Sequence, residues 1–475
     1  MDKHLLRSLY QLYLKHPVVT TDSRRCEAGS IFFALKGERF DGNQYAAETL
    51  QKGCTLAVVD DPKVVVAEQF DQHDDLSAFG QHGQYFLVDD VLSALQQLAE
   101  YHRQQFAFWQ RPVTVIGITG TNGKTTTKEL MREVLSQQYS VLATEGNLNN
   151  QIGVPLTLLK VRQSHEIAII EMGANHPDDI AQLCAIVHPD YGLITNVGKA
   201  HLLGFGSLEG VVKAKTKLYD SLRRDNGVAF IDCGNQLLVP HAQNLQLITY
   251  CTDENREKAL FSSEPKVTGR VADDSPMLHA ILTIGNTEVD VQTRLIGNYN
   301  LINITAAACV GRHLGITREQ IKKAIEGYEP SNMRSQLVDK GHGRFLVLDT
   351  YNANPTSMMA ALDSFSRNPA PHKCLILGAM GELGEESAEE HLNILRYLIG
   401  MQMFGNVLLV GKNFEDAFAT LSDEELLAWG QHTTVRCYAD VEKLKADSET
   451  LLRLPGTILI KGSNAQKLWL LEEAL

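Results

Sequence analysis

No stretch of this sequence approaches the roughly 20 consecutive apolar residues that a bilayer-spanning helix requires, so a membrane span is not expected. The first residues, Met1-Asp2-Lys3-His4, lead into an amphipathic pattern (Leu5, Leu6, Leu9, Tyr10, Tyr13, Leu14) and not into a signal-peptide core with its cleavage site. The expectation is a cytoplasmic protein. Basic clusters are missing too: none is longer than Arg223-Arg224 or Lys322-Lys323, and acidic residues outnumber basic ones 57 to 44, for a net charge of −13. A nucleic-acid partner is therefore not expected, because such partners select a basic face. A small anionic ligand stays open, since one loop can bind phosphate in an acidic protein. The eight cysteines include no C-x-x-C pair and mostly sit in apolar segments. That pattern predicts buried free thiols and argues against a disulfide framework or a zinc site. Short repeats and low-complexity segments are absent. Nothing in the chain specifies an oligomer, and a monomer is the working expectation.

What is present is a 44% hydrophobic, 21% charged chain of 475 residues, the balance of a folded globular protein and long enough for about three domains. The first block, residues 1–109, mixes strand-like runs (Ile31–Leu35, Leu56–Val59, Tyr85–Val88) with a helix signal from Ser93 to Tyr101, and reads as a small α/β domain. The second, 110–327, opens on the apolar run Val113–Ile118. A helix with Leu130, Met131, Val134 and Leu135 on one face follows. Signals then alternate between strand and helix: Glu166–Glu171, Asp178–Val187, Tyr191–Asn196, Leu208–Leu222, Val228–Ile231. Apolar strands separated by helices predict a parallel sheet covered on both faces. Residues 250–295 read as short antiparallel strands extending that domain. The third block, 328–475, repeats the alternation and predicts a smaller Rossmann-like domain. The fold class is thus α/β with three domains around a central P-loop-type parallel sheet.

Gly117-Ile-Thr-Gly120-Thr121-Asn122-Gly123-Lys124-Thr125-Thr126 follows a strand and opens a helix, the context of a phosphate-binding turn. Glycines let backbone N–H groups close around phosphate oxygens, and the helix N-terminus adds the positive end of its dipole. Lys124 would neutralise the β- and γ-phosphates of ATP, and the Thr125 hydroxyl would help hold Mg²⁺. A strict pattern would put glycine at position 118; this chain has Ile118, with the glycine at Gly120.

Glu171 ends an apolar strand and His201 follows the next one. In open α/β sheets ligands bind at the carboxyl ends of strands. A hard cation on phosphate oxygens takes a carboxylate, and an imidazole can help hold a second metal. Alone, either residue is ordinarily a solvated rim group; beside a phosphate turn both become candidate metal ligands. Lys215, read from the residues alone, is one lysine of a basic helical face.

Gly120-Thr-Asn-Gly-Lys-Thr-Thr126 resembles the signature of the Mur ligase family, which shares its fold with folylpolyglutamate synthases. Thr144–Pro155, Glu171-Met-Gly-Ala-Asn175 and Asn196-Val-Gly-Lys-Ala-His201 look like further family motifs. Asp349-Thr-Tyr-Asn-Ala-Asn-Pro355, Gly378-Ala-Met-Gly-Glu-Leu-Gly384 with His391, and Lys461-Gly-Ser463 are similar to the branch that handles D-alanyl-D-alanine. The resemblance implies an ATP-dependent amide ligation through an acyl phosphate, adding D-alanyl-D-alanine to UDP-N-acetylmuramoyl-tripeptide in peptidoglycan precursor synthesis. It implies that Gly120 to Thr126 hold ATP, and that Thr125, Glu171, His201 and a carbamoylated Lys215 serve Mg²⁺. Lys124, Lys215, His201 and Glu171 would then form the catalytic set. Asn300, Asn303, Arg334 and Asp349 would face the nucleotide; Ser23, Arg24, Asn149 and Asn352 would face the other substrate, with Ser23 and Arg24 in a UDP-binding first domain. Tyr299 stands where the family often has histidine, Asp232-Cys-Gly-Asn235 replaces an Asn-x-Asp-Asp pattern, and Ala379 stands where aspartate is common. Two other readings remain: a different Mur-type or folylpolyglutamate-type amide ligase, and a nucleotide-binding regulatory protein without ligase activity.

Overall fold

The computed structural model describes residues 1–65, 84–258, 264–330 and 333–475. Residues 66–83 of the first block, 259–263 of the stretch read as antiparallel and 331–332 of the third block lie outside the described residues. The chain falls into two compact units: residues 1–117, 139–173 and 179–191 form the first, and 118–138, 174–178 and 192–475 the second. Among the described residues no helix is long and apolar enough to cross a membrane, and all eight cysteines are free thiols, six of them buried.

The first unit begins with the helix Lys3–Lys15, started by Asp2, whose carboxylate accepts from the N–H groups of His4 and Leu5 at 2.8 Å. It carries the parallel sheet β1 (Val19–Thr20), β2 (Ile31–Phe33), β5 (Leu56–Val59), β6 (Gln84–Leu87), with the small antiparallel pair β3 (Lys36–Gly37) and β4 (Phe40–Asp41) to one side. Leu9, Leu12 and Tyr13 of the first helix are buried. The Tyr13 hydroxyl donates to the carbonyl of Leu159 at 2.6 Å, and Arg162 donates to Tyr13 Oη, Leu159 O, Val161 O and Pro17 O at 2.6 to 2.9 Å. One guanidinium thus gathers three carbonyls and a phenol. Arg162→Ala is expected to cost about 2–4 kcal/mol, the scale of several charge-assisted bonds lost together. Urea unfolding followed by circular dichroism would show it as a lower midpoint at unchanged slope.

Strands β7 (Thr114–Thr119) and β10 (Tyr191–Ile194) take part in both units. In the first, they run with β9 (Ile167–Glu171) and β8 (Val141–Ala143) in the order β10-β7-β9-β8. The second unit has its own run of neighbouring strands, β10, β11 (Val228–Asp232), β12 (Gln246–Thr252), β13 (Val267–Val271), β14 (Met277–Ile284) and β15 (Thr287–Ile296). β9 is buried along its whole length, and β7, β10 and β11 are buried after a half-buried first residue, as a parallel sheet covered on both faces requires.

The stretch expected to be antiparallel is so only in part. β12 and β13 continue the parallel register, and the direction reverses at β13–β14–β15, where Thr283 and Glu288 pair across the hairpin. The helix expected over 208–222 is two helices, Leu208–Lys215 and Lys217–Arg224. At the break the Thr216 hydroxyl donates to Val212 O and Lys213 O, and the N–H of Tyr219 bonds three residues back to Thr216 O. A side-chain hydroxyl competing for helix carbonyls is a recognised cause of such a bend.

The last part of the second unit holds the sheet β16 (Gln336–Gly341), β17 (Arg344–Asp349), β21 (Thr457–Lys461), β18 (Lys373–Gly378), β19 (Asn406–Val410), β20 (Thr434–Tyr438), in that spatial order and parallel apart from the edge strand β16. Leu346, Leu348, Ile376, Leu408, Ile458 and Ile460 form its core, each worth roughly 1.5–3 kcal/mol of burial. This is the expected Rossmann-like layer.

Candidate active site

The phosphate turn lies at the carboxyl end of β7 and opens the helix Lys124–Leu135. Gly120 has φ +144° and Gly123 φ +77°, and a Cβ would lie 1.9 Å from Thr195 Oγ1 at the first and 2.7 Å from Asn303 Oδ1 at the second. Both positions are closed to any side chain. Ile118, where a strict pattern has glycine, is a fully buried strand residue; here the backbone turns two residues later. Lys124 bends back over the turn and donates to Gly120 O at 2.7 Å and Thr121 O at 3.1 Å.

The turn is braced from three directions within the second unit. Thr121 N bonds Asn196 O at 2.9 Å, Asn122 N bonds Asn196 Oδ1 at 2.9 Å, and the Thr195 hydroxyl donates to Asn122 O at 2.6 Å. Thr127 donates to Asn303 Oδ1, Asn303 donates to Asn300 Oδ1, and Asn300 donates to Ile296 O. Asn300 and Asn303 are thus buried buttresses of the helix that follows the turn. From the last sheet's side, Asn354 Nδ2 donates to Asn122 Oδ1 at 2.8 Å and Asn122 Nδ2 to Asn354 Oδ1 at 3.4 Å. Thr125 is buried and Thr126 half-buried at the helix start.

His201, at φ +51° before the short helix Leu202–Phe205, meets the Glu382 carboxyl through Nδ1. That contact lowers the Glu382 carboxyl from its ordinary range. Nearby, Lys199 pairs with Glu390 at 2.5 Å, and its N–H bonds the Thr356 hydroxyl at 3.1 Å. Lys215 ends its helix with only 2% of its surface exposed, its ammonium 6.0 Å from the Phe205 ring centroid. Burial, and then the charge of Lys124, push its pKa well below that of an ordinary lysine. The surface reading of Lys215 is overturned by this burial, which periodicity alone does not reveal.

The Arg334 guanidinium lies 3.7 Å over the Tyr351 ring, while Met333 and Ser335 on either side have positive φ. Tyr299 meets Ser335 Oγ through its hydroxyl at 2.5 Å. Asp349 is held by Lys461 at 2.5 Å, and Lys461 also donates to Asn352 O. Asn352 itself is exposed, its Oδ1 accepting from Ala353 N. Asp232 closes a local turn by accepting from Gly234 N, and burial pushes its carboxyl up to about 6.

In the first unit Glu171 is buried at the end of β9 and accepts from Asn149 Nδ2 at 2.8 Å, so these two candidates stand together. Ser23 and Arg24 lie on a short turn where Arg24 grips Asp22 with two bonds of 2.8 and 2.9 Å and stays largely exposed. The Ser23 carbonyl accepts from Lys52. Asn196, Asn354, Thr356, Glu382, Glu390 and Lys461 received no role from the sequence; each lay inside a quoted motif or beside one, but its partner is distant in the chain.

The sequence matches three family models in succession: Mur ligase family, catalytic domain, over residues 17–103; Mur ligase middle domain over 118–311; and Mur ligase, glutamate ligase domain, over 333–464. It is 35% identical to UDP-N-acetylmuramoyl-tripeptide–D-alanyl-D-alanine ligase of Bacillus subtilis over 77% of this chain and 74% of that protein. The chain belongs to the Mur ligase family. Among solved structures, MurF from Acinetobacter baumannii matches with TM-score 0.80 and 29% identity over 98% of this chain and 97% of that one. MurF ligase from Thermotoga maritima in complex with ADP matches with TM-score 0.76 and 26% identity over 100% and 98%. The mixed α/β architecture in three domains is that of these Mur ligases.

Proposed function

We propose that this chain is an ATP-dependent, ADP-forming amide ligase that joins D-alanyl-D-alanine to UDP-N-acetylmuramoyl-tripeptide in the cytoplasm, a late step in building the peptidoglycan precursor. The carrying observation is the glycine-bounded phosphate turn with Lys124 folded over it, in a chain similar over most of its length to ligases bearing that name.

In the first step an oxygen of the tripeptide carboxylate attacks the γ-phosphorus of ATP and the bond to the β-bridging oxygen breaks, releasing ADP. Lys124 exchanges its two carbonyl partners for phosphate oxygens and offsets the charge that develops there. In the second step the amine of D-alanyl-D-alanine attacks the acyl carbon, the carbon–oxygen bond to phosphate breaks, and the nitrogen gives up a proton. A reactive acyl phosphate has to be kept from water; the bonds between Asn354 and the phosphate turn, and between Thr356 and the loop after β10, support a part for the last sheet's domain in that.

Among the described residues no three His, Cys, Asp or Glu side chains converge as a ready-made metal site. The residues we assign to Mg²⁺ have the chemistry it takes: the buried hydroxyl residue Thr125, the carboxylate Glu171, the imidazole His201 and the buried Lys215, which a carbamate would turn into an oxygen donor. Mg²⁺ characteristically takes one or two protein oxygens and completes its shell with phosphates and water. When bound it would polarise the phosphoryl oxygens. Asn300, Asn303, Arg334 and Asp349 are assigned to the nucleotide side, and Ser23, Arg24, Asn149 and Asn352 to the UDP-tripeptide side.

The test is phosphate release from ATP with UDP-N-acetylmuramoyl-tripeptide, with and without D-alanyl-D-alanine, with mass analysis of the product. Release that needs both substrates and yields the pentapeptide is expected. Release indifferent to the acceptor amine would point to a nucleotide-hydrolysing regulator instead.

A further inference from the structure

Asn354 is separated from Asn122 by 232 residues, yet their amides face each other and exchange hydrogen bonds in both directions. Asn122 lies in the phosphate turn, between Thr121 and Gly123. Its own peptide is clamped by Asn196 and Thr195, with Asn196 Nδ2 donating to Asn122 O at 3.1 Å and Asn196 Oδ1 accepting from Asn122 N. The next residue is Gly123, at φ +77° and with no room for a side chain, and then comes Lys124. A displacement of Asn122 is therefore carried into the position of Lys124 and of the N–H groups that open the helix.

Asn354 is built to hold its orientation. It is 3% exposed, and it starts the helix Pro355–Ser366 with a capping box, its Oδ1 accepting from Ser357 N and its N–H meeting Ser357 Oγ. Oδ1 serves the cap and also accepts from Asn122 Nδ2 at 3.4 Å, while Nδ2 makes the shorter bond, to Asn122 Oδ1 at 2.8 Å. The neighbouring Thr356 reaches the loop after β10, where a Cβ on Gly198 would meet its hydroxyl at 2.6 Å. The helix start thus docks against two consecutive pieces of the nucleotide side.

We propose that Asn354 is a positioning residue for phosphoryl transfer, acting through Asn122 to set the phosphate turn only when the last sheet's domain is docked. This rests on the ligase reading above. It gives that domain a direct influence on the geometry of the first chemical step, beyond any part it has in holding the acceptor.

The cap and the amide pair are separable. Asn354→Ser keeps a good helix cap but is too short to reach Asn122, while Asn122→Ala removes the pair from the other side without touching the cap. On the full-length enzyme, each variant is expected to keep a melting temperature close to wild type and its KM for UDP-N-acetylmuramoyl-tripeptide. Each should lower kcat at least about tenfold, the scale of a small misplacement of a reacting group. The double variant should fall no further than the worse single one, because both remove one interaction. Turnover of Asn354→Ser within twofold of wild type would overturn the proposal, and so would a double variant whose loss is the product of the single losses. Wild-type enzyme that releases no phosphate with the two substrates would instead overturn the ligase reading. The same series is then read by MgATP affinity, where non-additive weakening supports the amide coupling and independent or absent weakening refutes it.

Discussion

Lys124→Ala is expected to lower phosphate release at least about a thousand-fold, the range seen when a charge on a transferring phosphoryl group is removed, while the protein stays folded. In the structure the ammonium spans the Gly120 and Thr121 carbonyls. The side chain is therefore already held over the turn and needs only to exchange carbonyl oxygens for phosphate oxygens. The lost bonds are local and half-buried, so the melting temperature should drop by only a few degrees, on the scale of one or two net hydrogen bonds. Steady-state turnover with both substrates, alongside a thermal melt, separates the two effects. A variant that keeps near-wild-type turnover would remove Lys124 from the chemistry and with it the assignment of the turn.

Replacing Lys215 should give opposite effects on activity and stability. Its ammonium is buried beside a second cation, Lys124, and its pKa lies well below the ordinary lysine value. The folded chain holds that proton less tightly than the unfolded chain does, so the residue costs stability below the unfolded pKa and the cost shrinks as pH rises towards it. Lys215→Met is therefore expected to raise the melting temperature of the metal-free protein at neutral pH. Activity should move the other way, by about a hundredfold or more, the order expected on losing a metal ligand's support of phosphoryl transfer. An amine whose proton is weakened by burial adds carbon dioxide more readily once that proton leaves, and the resulting carbamate supplies a hard oxygen donor. Lys215→Arg should be as inactive as the methionine variant, because a guanidinium forms no carbamate and keeps its proton. Mass analysis of the native protein near neutral pH, with and without dissolved carbon dioxide, checks the modification itself. An arginine variant with substantial turnover would show that a cation suffices at this position.

The elements most legible in the sequence were those set by short-range chemistry. β7 is a run of apolar residues, the helix Lys124–Leu135 shows one apolar face, and the glycines at 120 and 123 mark where no Cβ fits. The alternation of buried strands and helices in the last block likewise announced a parallel sheet. Where the reading slipped, a side chain intervened: Thr216 broke a helix whose periodicity ran on unbroken. The switch to antiparallel pairing waited until β13, because strand direction is fixed by connections and partners and leaves little trace in short alternating runs.

The candidate residues divide in the same way. By itself the sequence determined the fold class, the phosphate turn and the chemical identity of the groups at the strand ends, since each depends on neighbours within a few residues. Tertiary structure alone decided which of those groups meet. It buried Lys215 and so changed its acidity, put Glu382 on His201, tied Asp349 to Lys461, and joined Asn122 to Asn354. Such pairings carry no periodic signal, because a hydrogen bond or an ion pair needs only proximity in space, and the chain between its partners is free to run through whole sheets.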